Sequence, residues 1–337
     1  MLAFVVRRAV LGVIVLWALS IASFYALFSR ERLQVYSPLR GHSLLPLYWT
    51  WLKGVFTGRT FDLIFTPAAS QLNPSARTTF VDSIGHTAVL LSVTLVLVLL
   101  FAVGLALVAA SRRGSGADIG VRGISYLAWA VPPFLLALLV QKLLYTFGGD
   151  HGVGPFPIAG WPGSCPIGLG LDAGSLQNCP AAGSGLTYVG NLFRYITLPA
   201  ATLALGFIGL HGRYLRSALL ETLQAPFVRT AEAKGLPQRW VVLRHALRAS
   251  LPTFLSAVLS DFGAIFGAAM AVDFMFGLNG LGTVLVSDFP GPNSDSGFVD
   301  TNSVQTVIVI AGAVVLLASF LAELSVVWLD PRMREAE

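Results

Sequence analysis

The sequence predicts an all-α integral membrane protein with about six transmembrane helices, and three observations support this prediction. Of the 337 residues, 55% are hydrophobic and only 12% are charged, whereas roughly 25% are charged in an average soluble domain. Six apolar segments approach the roughly 20 residues that a helix needs to cross a bilayer. The Lys and Arg residues are concentrated in every second segment between these spans, as expected of a multi-pass protein.

The six spans are predicted as helices because only a helix satisfies its own backbone hydrogen bonds in lipid. They cover residues 9–28, 87–110, 124–140, 196–210, 251–276 and 304–329. Arg7 and Arg8 precede the first run as in a signal peptide, but the run exceeds the roughly 7–15 apolar residues of such a peptide. We therefore expect a retained span. Pro132 and Pro133 are expected to kink the third span because proline lacks a backbone donor.

The fourth span, 196–210, is short and contains Pro199, so its length also fits a re-entrant segment. Without it, the Arg-rich stretch 211–250 would share a side with the nearly uncharged stretch 148–191, against the positive-inside rule. With six spans and a cytoplasmic N-terminus, the inner segments hold fourteen of the twenty-two Lys and Arg residues. We therefore predict six spans and place both termini in the cytoplasm.

This topology divides the chain into four parts and two large loops. The four parts are a first span at 1–28, an extracytoplasmic segment at 29–86, a five-helix core at 87–329 and a cytoplasmic tail at 330–337. The two loops lie within the core: an external loop at 148–191 and a cytoplasmic loop at 211–250. The external loop is rich in Gly, Pro and Ser, which predicts irregular structure. Cys165 and Cys179 both lie in it, where a disulfide or two free thiols are open alternatives.

Several classes of function are disfavoured. Two cysteines are too few for a disulfide scaffold or a thiolate metal site, and the scattered His86, His211 and His245 predict no metal site. The chain has no G-x-x-x-x-G-K-[ST] loop, so any ATP must be bound by another polypeptide. The basic residues alternate with apolar runs, which indicates a partner in the lipid bilayer and no nucleic acid.

The cytoplasmic loop contains a short helix with a clear beginning and end. Pro226 suits a first helical turn, Gly235 suits a C-terminal stop, and Pro237 follows it. This helix of roughly nine residues has one side suited to insertion into a groove. That side carries Phe227, Thr230, Ala231 and Lys234.

A second helical segment follows, and we expect it to lie along the inner membrane surface. Its apolar seam contains Trp240, Leu243, Leu247 and Leu251, while Arg239, Arg244, His245 and Arg248 lie off the seam. The spacing alone leaves two readings of the loop open. It is either an element that binds a partner protein or a basic loop that anchors the topology against anionic lipid.

Several strings in this chain resemble those of a known family. The loop reads FVRTAEAKGLP at 227–237 and RHALR at 244–248, followed by Pro252. Similar strings elsewhere are YWTWLKG at 48–54, LPA at 198–200, RYLRSALLE at 213–221, GLG at 280–282 and DPR at 330–332. Together they resemble the inner-membrane permeases of binding-protein-dependent dipeptide, oligopeptide and nickel ABC transporters, whose loop runs roughly Y-V-x-T-A-x-A-K-G-L, R-H-x-L-R and P.

The chain also departs from the family pattern on its outer side. It lacks P-G-D-P after the first span, and it has Asp273, Phe276 and Asn279 where the family has E-x-x-F-x-x-P. The external loop is longer than is usual in the family. We therefore expect an atypical outer face.

The resemblance implies a type I ABC importer permease fold in a bacterial inner membrane, with the short helix as a coupling helix. The residues to which it assigns ATPase coupling are Phe227, Arg229, Thr230, Ala231, Lys234 and Gly235, with Arg244 and His245 supporting them. The implied partners are a second homologous permease, two ABC ATPases that hold ATP and Mg²⁺, and an extracytoplasmic solute-binding protein. The chain itself would need no cofactor and would not be an enzyme. The implied substrate is a di- or oligopeptide, with nickel or another small solute as the alternative.

Three acidic residues lie within the predicted spans. Asp261 lies about ten residues into the fifth span, hence ~15 Å deep. It is either a pathway residue that contacts a substrate amine or a protonated or paired residue that holds helices together. Asp273, at the outer end of the same span, is expected to shape an outer gate and is a second pathway candidate. Glu323 is expected to be a structural residue near the cytoplasmic surface, where snorkelling or pairing with an Arg of the cytoplasmic loop lowers its cost.

Two other classes of membrane protein remain as alternatives. A proton-coupled secondary transporter would use Asp261 and Glu323, but the chain lacks paired broken helices in matching halves. A membrane-embedded enzyme would need a nucleophile and base or metal ligands, and the sequence has no H-E-x-x-H or G-x-S-x-G motif.

Overall fold

The computed structural model describes residues 2–33, 43–57, 76–111, 114–148, 156–163, 183–287 and 301–329, and these contain helices and turns but no strand. The all-α prediction is thus confirmed for this part of the chain. The helices are α1 (Leu2–Leu33), α2 (Leu44–Thr57), α3 (Ala76–Ser111), α4 (Gly116–Ala130), α5 (Pro133–Gly148), α6 (Leu186–Thr222), α7 (Pro226–Ala233), α8 (Gln238–Trp240), a π-helix (Val241–Ala246), α9 (Leu247–Ser260), α10 (Phe262–Phe276), α11 (Leu281–Ser287) and α12 (Thr301–Leu329).

Within the described ranges, four helices are long and apolar enough to cross a membrane, and two bent pairs bring the number to six if each pair is one span. The single helices give the spans Val5–Ser29, Val81–Ala110, Leu186–Thr222 and Val304–Leu324. The bent pairs are Asp118–Ala130 with Pro133–Gly148, and Gln238–Ser260 with Phe262–Phe276. All six predicted segments therefore correspond to a span or a bent pair.

The third predicted span breaks where only a kink was expected. Its two halves, α4 and α5, meet at 93°. Val131 is extended, with φ −89° and ψ 117°, as the steric bulk of a following proline requires. Two consecutive prolines then remove two backbone donors, so the helix restarts at Pro133 instead of bending through the site.

The fourth predicted span is the central part of α6, which is continuous over 37 residues. The re-entrant alternative is therefore wrong. Hydropathy marked only the apolar portion, while polar residues at both ends extend the same helix. Pro199 lies inside α6 and is buried without breaking it.

Helix α6 packs against α3 and α4 through glycines that permit close approach. A Cβ added at Gly209 would lie 2.7 Å from the Ser125 carbonyl oxygen of α4, and one at Gly212 would lie 3.2 Å from a methyl group of Leu105 on α3. These distances are at or below ordinary van der Waals contact. The bundle therefore depends on the absence of side chains along this side of α6.

Helices α1 and α12 pack along each other and are joined by polar contacts. The Gln305 amide donates to the Ser20 carbonyl at 3.0 Å, and Gly312 leaves room for Leu19. Arg8 forms an ion pair with Glu323. Glu323 is thus paired, as expected of a structural residue, but its partner is Arg8 and not an Arg of the loop at 211–250. The Arg8–Glu323 pair places the beginning of α1 and the end of α12 at the same end of the bundle.

Helix α2 lies in the predicted extracytoplasmic segment and packs against the end of α1. Its Tyr48 and Trp51 contact Phe24, whose ring stacks on Phe28 at 4.0 Å. The Tyr48 hydroxyl is 2.8 Å from that of Ser20. Cys165, Cys179 and the tail at 330–337 lie outside the described residues, so the alternatives for the cysteines stay open.

Replacing Gly209 with Leu should destabilise the protein because the new side chain must push α4 away from α6. We expect a loss of about 1–3 kcal/mol, typical of overpacking, measured as a lower thermal midpoint of the detergent-purified protein. Gly190→Leu is the matched control on the same helix, where an added Cβ has no atom within 4 Å. Equal midpoints for the two variants would contradict the assigned contact.

Candidate functional site

The short helix predicted in the loop between α6 and α9 is present as α7, with eight residues. Its N-cap residue, Ala225, is extended, and the carbonyl of Ala225 accepts the N–H groups of Val228 at 3.0 Å and Arg229 at 3.3 Å. Pro226 occupies the first turn, where its missing N–H leaves no hydrogen bond unmade. The local sequence thus determines where α7 begins.

The helix ends at the predicted glycine. Gly235 has φ +78°, and its N–H donates to the Glu232 carbonyl at 2.9 Å. An added Cβ there would meet no atom within 4 Å, so the glycine is required for its backbone conformation and not for space.

The two sides of α7 differ from the prediction at one residue. Val228 and Ala231 are buried against Val241 of the π-helix. Phe227 is 49% exposed, and the other exposed residues of this segment are Pro226, Arg229, Thr230, Glu232, Ala233 and Lys234. Ala231 therefore does not belong to the exposed side. Val228 takes the buried position, and Ala231 lies about one turn further on the same side.

The segment after α7 also departs from its predicted seam. Trp240 and Leu243 are exposed, while Val241, Val242 and Ala246 are buried. The seam of Trp240, Leu243, Leu247 and Leu251 assumed α-helical periodicity. Six residues here form a π-helix, which has more residues per turn and so turns a different set of side chains inward. Arg244 and Arg248 are exposed and His245 is half-buried.

The loop is attached firmly to the bundle. The Thr222 hydroxyl of α6 lies 2.9 Å from the Ser250 hydroxyl of α9, and Ser250 also donates to the Ala246 carbonyl. Beneath them, Leu219 and Phe254 are buried in a cluster that also includes alanines of α3. A displacement of α7 would therefore be transmitted to α6 and α9 together.

One buried ion pair at this end of the bundle was not predicted. Asp118 on α4 is only 1% exposed and accepts two hydrogen bonds of 2.8 Å from Arg216 on α6. The sequence does contain a signal for it, because Ser115 and Asp118 have the spacing of a helix N-cap box, and the Ser115 side chain accepts the Asp118 N–H. This bidentate pair couples α4 to α6.

The carboxylate of Asp273 makes its hydrogen bonds within the chain. Its carboxylate accepts the N–H groups of Gly280 at 2.9 Å and Thr283 at 3.0 Å, and so it caps α11. Asp273 is 1% exposed, so it does not line an open path, and its assignment to the translocation pathway is wrong for this conformation. It shapes the outer loop instead. A Cβ at Gly280 would collide with this carboxylate, which explains the glycine.

Part of the external loop closes over the same region. His86 stacks on Trp161 with ring centroids 3.9 Å apart, and its Nδ1 lies 3.2 Å from the Asn279 carbonyl. The Gly160 N–H donates to the Phe276 carbonyl at 2.8 Å. Residues 156–163 thus cover the end of α10.

Asp261 lies at the junction of α9 and α10, which meet at 49°. Its Oδ2 is 3.3 Å from Nε2 of His211, a fully buried residue of α6. The sequence does not predict this contact, because the two residues are fifty positions apart and their proximity depends on how α6 packs against the junction. No group of three or more potential metal ligands occurs among the described residues.

Comparisons with known proteins agree with the resemblance. Residues 102–335 match the family model "Binding-protein-dependent transport system inner membrane component". A putative peptide permease protein of Brucella suis is 27% identical over 290 residues, covering 85% of this chain and 79% of the relative. The oligopeptide transport system permease protein OppB of Escherichia coli is 25% identical over 306 residues, covering 85% and 87%. OppB of Mycobacterium tuberculosis is 33% identical over 169 residues, half of each chain.

Replacing Ala231 with Asp should detach α7 from the π-helix, because it buries a carboxylate against Val228 and Val241 without a partner. We expect trypsin to cleave the folded variant after Arg229 and Lys234 several times faster than the unmodified protein. Ala233→Asp places the same side chain on the exposed side of the same helix and is the control. Similar cleavage rates in both variants would contradict the burial of Ala231.

Proposed function

The chain belongs to the family of binding-protein-dependent transport system inner membrane components, and from this membership we propose that it is a permease subunit of an ATP-driven peptide importer. The family consists of transport permeases that cross the inner membrane several times. The observation that carries the ATP-driven part of the proposal is α7, a short, rigidly attached helix that leaves Phe227 half exposed at the end of the bundle.

The peptide substrate is proposed from the relatives. The Brucella relative is named a putative peptide permease, and those of Escherichia coli and Mycobacterium tuberculosis are named oligopeptide permeases. Two of these matches extend over 85% of this chain, well beyond the loop. We therefore assign di- or oligopeptides as the substrate class.

The proposed partners follow from what the chain lacks. The sequence contains no G-x-x-x-x-G-K-[ST] loop, so ATP and Mg²⁺ are assigned to partner subunits. By resemblance to the family these are two ABC ATPases, and each permease contributes one coupling helix to them. A second homologous permease completes the membrane unit, and an extracytoplasmic solute-binding protein delivers the peptide. The exposed side of α7, with Phe227 as an aromatic anchor and Arg229 and Lys234 beside it, suits a groove of an ATPase.

In the proposed mechanism, closure of the two ATPases on ATP moves α7 as a rigid body. Val228 and Ala231 transmit the movement to the π-helix and α9, and the Thr222–Ser250 contact transmits it to α6. The Arg216–Asp118 pair then carries it from α6 to α4. The bundle thereby alternates between inward-open and outward-open states.

The proposed orientation places α7 and both termini in the cytoplasm. Two observations support it. The Arg8–Glu323 pair joins the two terminal helices at one end of the bundle, and the loop that contains α7 is rich in Arg. Positive residues favour the cytoplasmic side of a membrane.

Replacing Phe227 with Ala should weaken attachment of the ATPase subunits, because it removes the aromatic anchor without touching the buried side of α7. We expect about a tenfold loss of ATPase recovered with the tagged permease from a co-expressed complex, a size typical of an interface hot spot. Leu45→Ala, which truncates a similarly exposed apolar residue on α2, is the control and should keep full recovery. Equal recovery with Phe227→Ala would remove the assigned docking role.

The function itself is tested with the complete complex in liposomes. Peptide uptake should require ATP and Mg²⁺ on the ATPase side and persist when an ionophore abolishes the proton gradient. Uptake that needs the proton gradient and proceeds without ATP would overturn the importer in favour of a secondary transporter.

A further inference from the structure

The face of α9 and α10 that is left uncovered differs from every other uncovered face of the described bundle. Its exposed residues are Thr253, Ser260, Ala264 and Gly267, which share one side of the bent helix pair. Between Leu243 and Val286, a stretch described throughout, the structure exposes no large hydrophobic side chain. This face is called the polar stripe below.

The exposed faces of other spans are of the opposite kind. Helix α1 exposes Val13, α3 exposes Leu100, and α4 exposes Leu127, all of them more than 60% accessible. Such side chains suit contact with lipid tails. The polar stripe runs over fifteen residues, 253–267, or about 20 Å of helix, and its exposed side chains are only small or hydroxyl-bearing. It therefore suits a polar space better than lipid.

Asp261 lies in the middle of this stripe and is 36% exposed. A carboxylate near the bilayer centre costs roughly 2.5–3.5 kcal/mol if it faces lipid. Helix-packing stripes of small residues need no carboxylate. A charged carboxylate here therefore requires a counter-charge or water on the open side of the stripe.

His211 stands directly behind Asp261 and is 0% exposed. Its Nδ1 lies 2.9 Å from the Phe207 carbonyl, which only accepts, so Nδ1 carries a proton. The other nitrogen, Nε2, is 3.3 Å from Asp261 Oδ2 but has no hydrogen-bond partner. The contact is an ion pair only when the imidazole carries both protons; with Nδ1 alone protonated, Nε2 offers the carboxylate no donor.

The carboxylate of Asp261 is thus presented to the polar stripe with its hydrogen-bond capacity unused. Among the described residues, His211 is the one ionisable side chain within ion-pair distance of it. The ligand that completes such a site is a cation with N–H donors. A primary ammonium supplies one positive charge and three donors in a small volume.

We propose that Asp261, which lies beside His211, binds an ammonium group of the peptide during its passage along the polar stripe. This inference rests on the proposed function. The ammonium is either that of the peptide N-terminus or that of a lysine side chain, since the two share the same chemistry. An ammonium bound to the Asp261 carboxylate leaves the site with no net charge. The positive charge of the peptide is therefore paired with a negative charge while it crosses the bilayer centre.

The test uses the full importer complex in liposomes, with Asp261→Asn, Asp261→Glu and the control Glu221→Gln, an exposed carboxylate at the end of α6. Uptake is measured for tri-alanine, N-acetyl-tri-alanine and N-acetyl-Ala-Lys-Ala, each relative to the unmodified complex with the same peptide. This ratio cancels any selection by the binding protein. Thermal midpoints of the variants report folding.

We expect Asp261→Asn to lower uptake of tri-alanine about tenfold, the size of one lost charge-assisted hydrogen bond, and to leave N-acetyl-tri-alanine within twofold. If the site also accepts lysine side chains, uptake of N-acetyl-Ala-Lys-Ala falls as well, and Asp261→Glu restores part of each loss. Glu221→Gln should change none of the ratios.

Two outcomes would overturn the proposal. An equal loss for all three peptides would make Asp261 a structural residue that only locks α6 to the α9–α10 junction, and the absence of any loss would leave it without a role in transport. Failure of the proposed function looks different, since the unmodified complex would then take up no peptide in an ATP-dependent manner.

Discussion

The structure depends on one continuous helix, α6, and on the close packing that its glycines permit. Gly206, Gly209 and Gly212 face the backbone or side chains of α4 and α3, so helices on two sides approach α6 closely. In lipid there is no hydrophobic driving force between helices, and contact of this kind has to supply the association. Because α6 does not break, it links the covered end near residues 156–163 to the loop that contains α7. The hydrogen bonds to α4 and α9 both start from it, and its His211 lies next to Asp261.

Three acidic residues lie where a helix begins, and their environments separate structure from function. Asp118 is held in the first turn of α4 by Arg216, and Asp273 caps α11. Both are buried, and their oxygens accept hydrogen bonds from within the chain. Asp261 begins α10 in the same way, yet it is partly exposed and faces only an unpaired histidine nitrogen. A buried carboxylate whose oxygens accept hydrogen bonds from the chain stabilises the fold. A carboxylate without such hydrogen bonds remains available to a ligand.

The loop between α6 and α9 combines a fixed inner side with an open outer side. Val228 and Ala231 pack on the π-helix, and the hydroxyls of Thr222 and Ser250 meet across α6 and α9. The exposed Phe227 and its charged neighbours therefore sit on a base that moves as a unit. Such stiffness is what a helix needs if it is to pass a displacement to the spans, because a flexible loop would absorb it.

The sequence by itself determined the class of the protein, the six apolar segments and the ends of α7. These features depend on local physics: the length of an apolar run, the missing N–H of Pro226 and the positive φ of Gly235. The family strings, too, are contiguous and could be read directly. Tertiary structure decided which side of α7 is buried, that Asp273 caps a helix and that the third span turns through 93°. It also brought His211 to Asp261 across fifty residues, because helix periodicity orders neighbours along one helix but does not say which helices meet or how each one is rotated against the next.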